Sequence, residues 1–362
     1  MIYSVIGLMS GSSLDGLDIV FAEIEEQRGK WSYRILNADC YTYEEAWKQR
    51  LQNATSLSAY DYCLLDADYG RYLGEAVNRF INTHQLQHKI QLVSSHGHTT
   101  FHSPGKGMTH QIGDGAAIAA TTGINVVSNL RSMDVALGGQ GAPIVPVGEK
   151  LLFSGYELFL NIGGIANISL SNNNIAFDVC PANKVLNLLA NKKGLDFDEA
   201  GAMASSGEIH HPLLAKLNAL EYYQLPHPKS LANSFGASTV MGIIEESGAA
   251  VEDALMTYCE HICMQTERAI ESLGMPEGKL ASMLVTGGGA FNNYLIERLR
   301  QHMQFINVDV VVPEAETVAY KEAIVMALLG VLRWREQTTV LHTVTGARRD
   351  SIGGCVWMGQ EA

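Results

Sequence analysis

Two apolar runs open the chain, Ile2 to Met9 and Leu17 to Ile24, and both read as β-strands. A third strand spans roughly Trp31 to Tyr43, and helical patterns follow in Glu44 to Asn53 and Asp61 to His84. Ile90 to Ser95 is a short strand, Ala116 to Thr122 a helix and Asn125 to Ser128 a further strand. The same order of elements begins again near residue 156. Tyr156 to Ile162 and Ile165 to Leu170 are strand-like runs turned by Gly163-Gly164, and Ile175 to Cys180 makes a third strand. Ala182 to Lys193 is then a helix stopped at Gly194. Later segments alternate: helix Glu252 to Leu273, strand Leu280 to Thr286, helix Phe291 to Met303, strand Ile306 to Val312, helix Val318 to Arg335. This alternation predicts an α/β protein with partly parallel sheets, built as two units of similar element order.

With 362 residues, 47% of them hydrophobic, the chain can bury two ordinary cores. No stretch has the unbroken apolar length of a membrane span, and the N-terminus lacks the pattern of a signal peptide. A cytoplasmic protein is the expectation. The formal charge of −13 argues against nucleic acid or an anionic membrane as partner. An anionic ligand would therefore need a local basic site. The six cysteines form no C-x-x-C and read as free thiols. Cys259, His261 and Cys263 lie in one helical pattern and read as core packing rather than as a metal site.

Chemistry concentrates in short polar segments. Gly11-Ser12-Ser13-Leu14-Asp15-Gly16-Leu17-Asp18 joins the first two strands. Such a turn presents backbone N–H groups and hydroxyls to phosphate oxygens, with Asp15 able to hold Mg²⁺ directly or through water. A plain hairpin would use the same residue types. No Walker A or dinucleotide G-x-G-x-x-G is present, but Gly287-Gly288-Gly289 stands between a strand and a helix, where backbone can approach a nucleotide closely. Ser95-His96-Gly97-His98 with His102 lacks the spacing of a zinc motif and falls in a turn-prone region. Gln111-Ile112-Gly113-Asp114-Gly115, Asn129 to Asp134 and Gly138-Gly139-Gln140-Gly141 combine hydrogen-bonding side chains with glycines, as a sugar site requires. Asp178 comes near the end of its strand, placed to act as a general base or to bond nearby backbone.

Taken in order, these segments resemble the anhydro-N-acetylmuramic acid kinases, relatives of sugar kinases, heat-shock ATPases and actin. The likeness runs from Gly7–Asp18 through Ser95-His96-Gly97, Gln111–Gly115, Arg131–Pro146, Asn161–Ile168, Phe177–Asn183 and Pro228-Lys229-Ser230 to Thr286–Asn292 and Thr345-Gly346-Ala347. It implies a two-lobed actin-like ATPase fold, each lobe with a ribonuclease-H-like core. The expected lobes are residues 1–150 and 151–362, with the C-terminal end free to return to the first. It also implies ATP and Mg²⁺, and an anhydro sugar whose ring is opened by water and whose O6 is phosphorylated during cell-wall recycling. By resemblance Asp178 is the base. Gly11 to Asp18, Gly163, Gly164 and Gly287 to Gly289 face ATP, and Asp15 and Glu322 organise the metal. His96, Gln111, Asp114, Arg131, Gly139, Gln140 and Asn183 bind the sugar, and a homodimer is left open.

The chain departs from the family pattern at Ser12, at Val179, Cys180 and Ala182, and at Leu231-Ala232-Asn233-Ser234. A kinase acting on another sugar, and a nucleotide-dependent binding protein without sugar chemistry, are the alternative readings.

Overall fold

The computed structural model describes residues 1–11, 14–171, 175–227, 229–232, 235–274 and 280–359. The chain divides into two compact units, Met1–Ser154 with Tyr320–Ala362, and Gly155–Ala319. The residues expected to form the second lobe, 151–362, are thus shared between the two.

The first unit is built on β1 (Ile2–Ser10), β2 (Gly16–Gln27), β3 (Lys30–Thr42), β4 (Leu92–Ser103), β5 (Met108–Ile112), β6 (Val126–Ser128) and β12 (Cys355–Trp357). Its sheet runs β12-β6-β4-β1-β2-β3, with β5 paired to β4. The first three strands are antiparallel neighbours, whereas β4 runs parallel to β1 and β6 parallel to β4. The second unit holds β7 (Leu158–Ile162), β8 (Ile165–Leu170), β9 (Ile175–Pro181), β10 (Ala281–Thr286) and β11 (Val308–Val311), in the order β11-β10-β7-β8-β9. Again the first three strands are antiparallel, and β10 and β11 follow in parallel beside the first. The two units therefore share one five-stranded plan, as the repeated order of apolar runs predicts.

Alternation along the strands explains where the cores sit. Ile6, Leu8, Leu17, Ile19 and Phe21 face one side of the first sheet, under the helices Glu45–Gln52, Ala59–His84 and Gly115–Thr122. Val5, Val20, Ala22 and Ile24 face the other side, against the long helix Ala315–Trp334. That helix lies so close to β1 that a Cβ on Gly7 would overlap the carbonyl oxygen of Ala323. In the second unit the core packs the sheet against Asn183–Asn191, Val251–Ser272 and Asn293–Phe305. Cys259, His261 and Cys263 are fully buried in Val251–Ser272, and His261 is bonded to Asn218 and Tyr223.

Two segments differ from the sequence-based expectation. The stretch His98 to His102, predicted as turn-prone, is strand: β4 continues to Ser103 and folds back through Pro104–Lys106 into β5. Polar residues hid this extension because both strands of the arm leave the core. The short helix Pro146–Leu152 was also not anticipated. It is entered by Pro146, at the first-turn position proline tolerates.

On Val251–Ser272 and Asn293–Phe305, His302 is held between Glu267 (2.7 Å) and Glu260 (3.0 Å), and Arg298 pairs with Glu260 (2.7 Å). The hydrogen bond to Glu260 raises the His302 pKa above the ordinary 6.5. A raised histidine pKa stabilises the fold fully below about 6.5, and the gain is lost as pH rises through the higher folded value. His302→Gln should therefore lose more stability at pH 6 than at pH 9 in denaturant titrations; equal losses would count against this pairing. Gly7→Ala should cost about 1–3 kcal/mol, because backbone rather than a flexible side chain occupies the space. An unchanged denaturation midpoint would show that the helix approaches β1 less closely.

Candidate functional site

In the first unit the turn after β1 is tight. Leu14 has a left-handed φ of 60° and sends its N–H towards the Gly11 carbonyl at 3.4 Å. Leu14 and Leu17 point into the core, so only their backbone is open to a ligand. Ser12 and Ser13 lie outside the described residues. Asp15 is exposed, and Gly16 starts β2 where a Cβ would crowd Cys40 and the Tyr41 backbone. Ser10, at the end of β1, is held from below by a buried chain: Tyr43 Oη donates to its Oγ at 2.8 Å, and His98 Nδ1 meets it at 3.0 Å.

Asp18, two residues into β2, approaches the acidic side chain of the long helix. Its carboxyl is pushed up to about 6, first by burial and then by Glu322 and Asp15, while a hydrogen bond to Cys40 opposes the rise. Burial likewise raises Glu322, against the pull of Lys321 and Arg131. A carboxyl raised by burial and by neighbouring carboxylates, as Asp18 is, is the donor chemistry a hard cation relieves. Among the described residues no group of three or more His, Cys, Asp or Glu side chains converges as a metal site. A Mg²⁺ that keeps most of its waters requires only one or two carboxylates beside substrate phosphates, and Asp15, Asp18 and Glu322 fit that role.

Beside them Arg131 donates from Nε to His96 Nε2 (2.9 Å) and from Nη1 to the Gly141 carbonyl (2.7 Å). His96 Nδ1 faces its neighbour's carbonyl, Gly97 O, at 2.9 Å. A carbonyl only accepts, so Nδ1 carries the proton and Nε2 accepts from Arg131. Burial, and then the Arg131 charge, push His96 down to about 3. The imidazole is thus a fixed neutral spacer that orients the Arg131 guanidinium.

Asp114 caps the helix Gly115–Thr122, accepting from the N–H groups of Ala116 (3.1 Å) and Ala117 (3.2 Å). Gln111 sits on β5 rather than in a loop; its Nε2 bonds Thr109 while its Oε1 is buried without a partner among the described residues. Gly139 lies where a Cβ would strike the Asp134 carboxylate, and Gln140 is exposed, its backbone N–H bonded to Thr345 O.

Sequence reasoning missed the residues that hold these loops. Asp134, fully buried, accepts from Gly141 N and from Thr345 Oγ1, both at 2.7 Å. Asp66 accepts from Gly113 N at 2.7 Å. Lys321 and Glu149 form a buried ion pair at 2.8 Å next to Glu322. A charged residue inside an apolar helical stripe was the available signal for Lys321; nothing local distinguishes Asp66 from a surface acid.

In the second unit two glycine-bearing turns meet the segment Ala182-Asn183. Asn183 N–H bonds Gly163 O (3.0 Å), Ala182 N–H bonds Gly164 O (2.8 Å), and Asn183 Nδ2 bonds Ile162 O (3.0 Å). Gly287, at φ 82°, lies so near Asn161 and Ile162 that no side chain fits, and Gly289 is as tight against Ile162. Gly288 lies beside Asn183. Asp178 accepts from Leu231 N through Oδ2 (2.8 Å), and its backbone is clamped by Lys229 O (3.1 Å) and Tyr222 Oη (2.7 Å). Burial raises its pKa, partly offset by the Leu231 bond. The strand bulges at Val179, between Cys180 paired to Ala166 and Asp178 paired to Asn167. Bulges of this kind re-aim a side chain beside a site.

Two units of one plan, three antiparallel strands followed by two parallel ones, define an actin-like ATPase fold. The chain belongs to the anhydro-N-acetylmuramic acid kinase family, whose sequence profile matches residues 3–359. The kinase of that name from Sulfurovum sp. is 32% identical, over 98% of this chain and 98% of its own. That from Zymomonas mobilis is 34% identical, over 95% and 98%. The solved activator of 2-hydroxyisocaproyl-CoA dehydratase from Clostridium difficile, with bound ADPNP, is 14% identical with a TM-score of 0.44, covering 93% of this chain and 96% of that one. No described helix is long and apolar enough to cross a membrane.

Nitrogen-detected NMR should find His96 neutral, with its proton on Nδ1, from pH 5 to 8. A titration near the ordinary 6.5 would show that the imidazole is not enclosed with Arg131 as described.

Proposed function

We propose that this protein is an active anhydro-N-acetylmuramic acid kinase. It opens the 1,6-anhydro ring of its sugar with water and transfers the ATP γ-phosphoryl group to O6, giving N-acetylmuramic acid 6-phosphate. The observation that carries this reading, beyond family membership, is the setting of Asp178. One of its carboxylate oxygens is fixed by a backbone N–H, and burial has raised its basicity.

Asp178 takes a proton from the water as the water oxygen bonds to C1. The C1–O6 bond breaks and leaves its electron pair on O6. O6 then bonds to the γ-phosphorus as the bond to the ADP oxygen breaks. An inverting glycosidase would need a second carboxylic acid to protonate O6; here the phosphoryl group takes that place. Backbone N–H groups from Gly11 to Asp18, with Gly163 and Gly164, receive phosphate oxygens, and the Gly287–Gly289 turn leaves room for the adenosine. Asp15 and Glu322, with Asp18 beside them, would hold a Mg²⁺, which would supply charge neutralisation, the main task in phosphoryl transfer. Arg131, oriented by His96, meets the anionic part of the sugar, and Gln111, Gly139, Gln140 and Asn183 complete its contacts. Asp114 serves by holding the Gly113–Gly115 backbone. We place the reaction in the cytoplasm, where ATP is available, and assign no assembly beyond a candidate homodimer.

The departures from the family pattern support the same substrate. Val179, Cys180 and Ala182 are all buried in the core of the second unit, so their changes alter packing rather than substrate contacts. Leu231 meets Asp178 through its backbone N–H, which any residue but proline provides. Asn233 and Ser234 lie outside the described residues.

Purified protein given ATP, Mg²⁺ and the anhydro sugar should yield ADP and the sugar 6-phosphate in equal amounts. Folded protein that forms no such product would overturn the proposal, and turnover of a different sugar in a substrate panel would redirect it. Asp178→Asn should keep ATP binding and lose about 10²- to 10⁴-fold in turnover. Because burial raises this carboxyl, the acid limb of kcat/KM should fall above the ordinary value of 3.8.

A further inference from the structure

The sheet face that carries Asp178 carries a line of polar side chains with it. Antiparallel pairing sets Asn167 opposite Asp178 and Asn161 opposite Asn167, and parallel pairing sets Thr286 beside Asn161. Residues directly opposite on antiparallel strands share a face, with Cβ atoms about 5 Å apart. The intervening positions, Leu160, Ile162, Ala166, Ile168 and Val285, belong to the apolar core on the opposite face. The line thus crosses four strands, from the base to the glycine turn after β10.

The fold makes little use of these groups. Thr286 is fully buried, yet its hydroxyl has no partner among the described residues. Asn161 and Asn167 are partly exposed on strands otherwise rich in buried apolar residues. A carboxamide on a core strand costs free energy unless its polar atoms are satisfied. The Asn161 carboxamide is walled by the glycine turns: a Cβ at Gly287 would come within 2.5 Å of its Oδ1 and one at Gly163 within 3.7 Å of its Nδ2. Asn167 has the more open setting and the shorter path to the base. The bulge at Val179 brings it into register with Asp178; regular pairing continued from Ala166 and Cys180 would set Asn167 opposite Val179.

We propose that Asn167 is a further catalytic residue, holding the attacking water together with Asp178. Resting on the kinase reading above, the assignment gives each of the water's protons an acceptor. One proton passes to the Asp178 carboxylate, and the other stays on the oxygen and is bonded by the Asn167 carboxamide oxygen. The lone pair freed by the proton transfer is then the pair that bonds to C1. The C1–O6 bond breaks as this bond forms, its electron pair leaving on O6, and Asn167 neither gains nor loses a proton.

The test compares the full-length parent with Asn167→Ala and Asn167→Asp, each shown to be folded by its thermal transition. With the anhydro sugar, Asn167→Ala should lower kcat at least about tenfold and leave KM for ATP within about twofold, because its role lies in the water step. Asn167→Asp sets a second carboxylate beside Asp178, and like charges raise each other's pKa. Its acid limb should therefore move to higher pH by about one unit, which tests whether the two side chains meet, while the kcat loss of Asn167→Ala at unchanged KM for ATP tests the role in the water step. Asn167→Ala within twofold of the parent kcat, or an unmoved acid limb in Asn167→Asp, would overturn the assignment while leaving the kinase reading intact. A parent that forms no sugar 6-phosphate would remove both. Should Asn167→Ala fail to fold, the pH profile of Asn167→Asp decides alone.

Discussion

The first unit depends on a helix lying almost flat on its sheet. Ala315–Trp334 can approach β1 as it does only because position 7 has no side chain. That approach buries a stripe from Ala323 to Leu332 against Val5, Val20, Ala22 and Ile24, closing one of the two faces of the sheet. It also decides the chemistry. Glu322 stands within electrostatic reach of both Asp18 and Arg131, and Lys321 is neutralised by Glu149 rather than left to pair with Glu322. A buried ion pair adds little stability by itself. Here it holds the Lys321 ammonium against Glu149, while the Lys321 charge still pulls on the neighbouring Glu322 carboxyl.

Electrostatics in the two units follow one rule by different means. Burial raises Asp178, Asp18 and Glu322, making each a better proton or cation acceptor than an exposed carboxylate. Burial also lowers His96 and Arg131, though Arg131 reaches only about 10 and stays charged at neutral pH. A neutral imidazole against a charged guanidinium orients without competing for an anion. In a chain of formal charge −13, Arg131 is thus a charged group held in one orientation.

Much of this was legible because the strands are bounded by unmistakable turns. Gly163-Gly164 between Ile162 and Ile165, and Gly287 after Thr286, mark where β7, β8 and β10 stop, and the repeated element order followed from them. The likeness to a known family then gave roles to side chains that spacing alone left open, Asp178 above all. The arm of β4 and β5 was illegible because its strands carry His, Thr, Ser and Gln with few apolar partners; pairing with each other, not burial, makes them strands. Asp134 and Asp66 were missed for a related reason. Their carboxylates serve backbone N–H groups far away in sequence or in another loop, and only the folded chain brings them there. Asn161 and Asn167 fall within the predicted strands Tyr156–Ile162 and Ile165–Leu170, and cross-strand register is what aligns them with Asp178.

β9, which carries Asp178, is the last strand of its sheet, and such an edge offers unpaired backbone to any passing strand. Lys229 and Tyr222 take up part of that edge: Lys229 O receives the Asp178 N–H, and Tyr222 Oη donates to the Asp178 carbonyl. The loop nearest the base therefore also guards against edge-to-edge association. Loosening these contacts would expose a strand edge ready to pair with another chain.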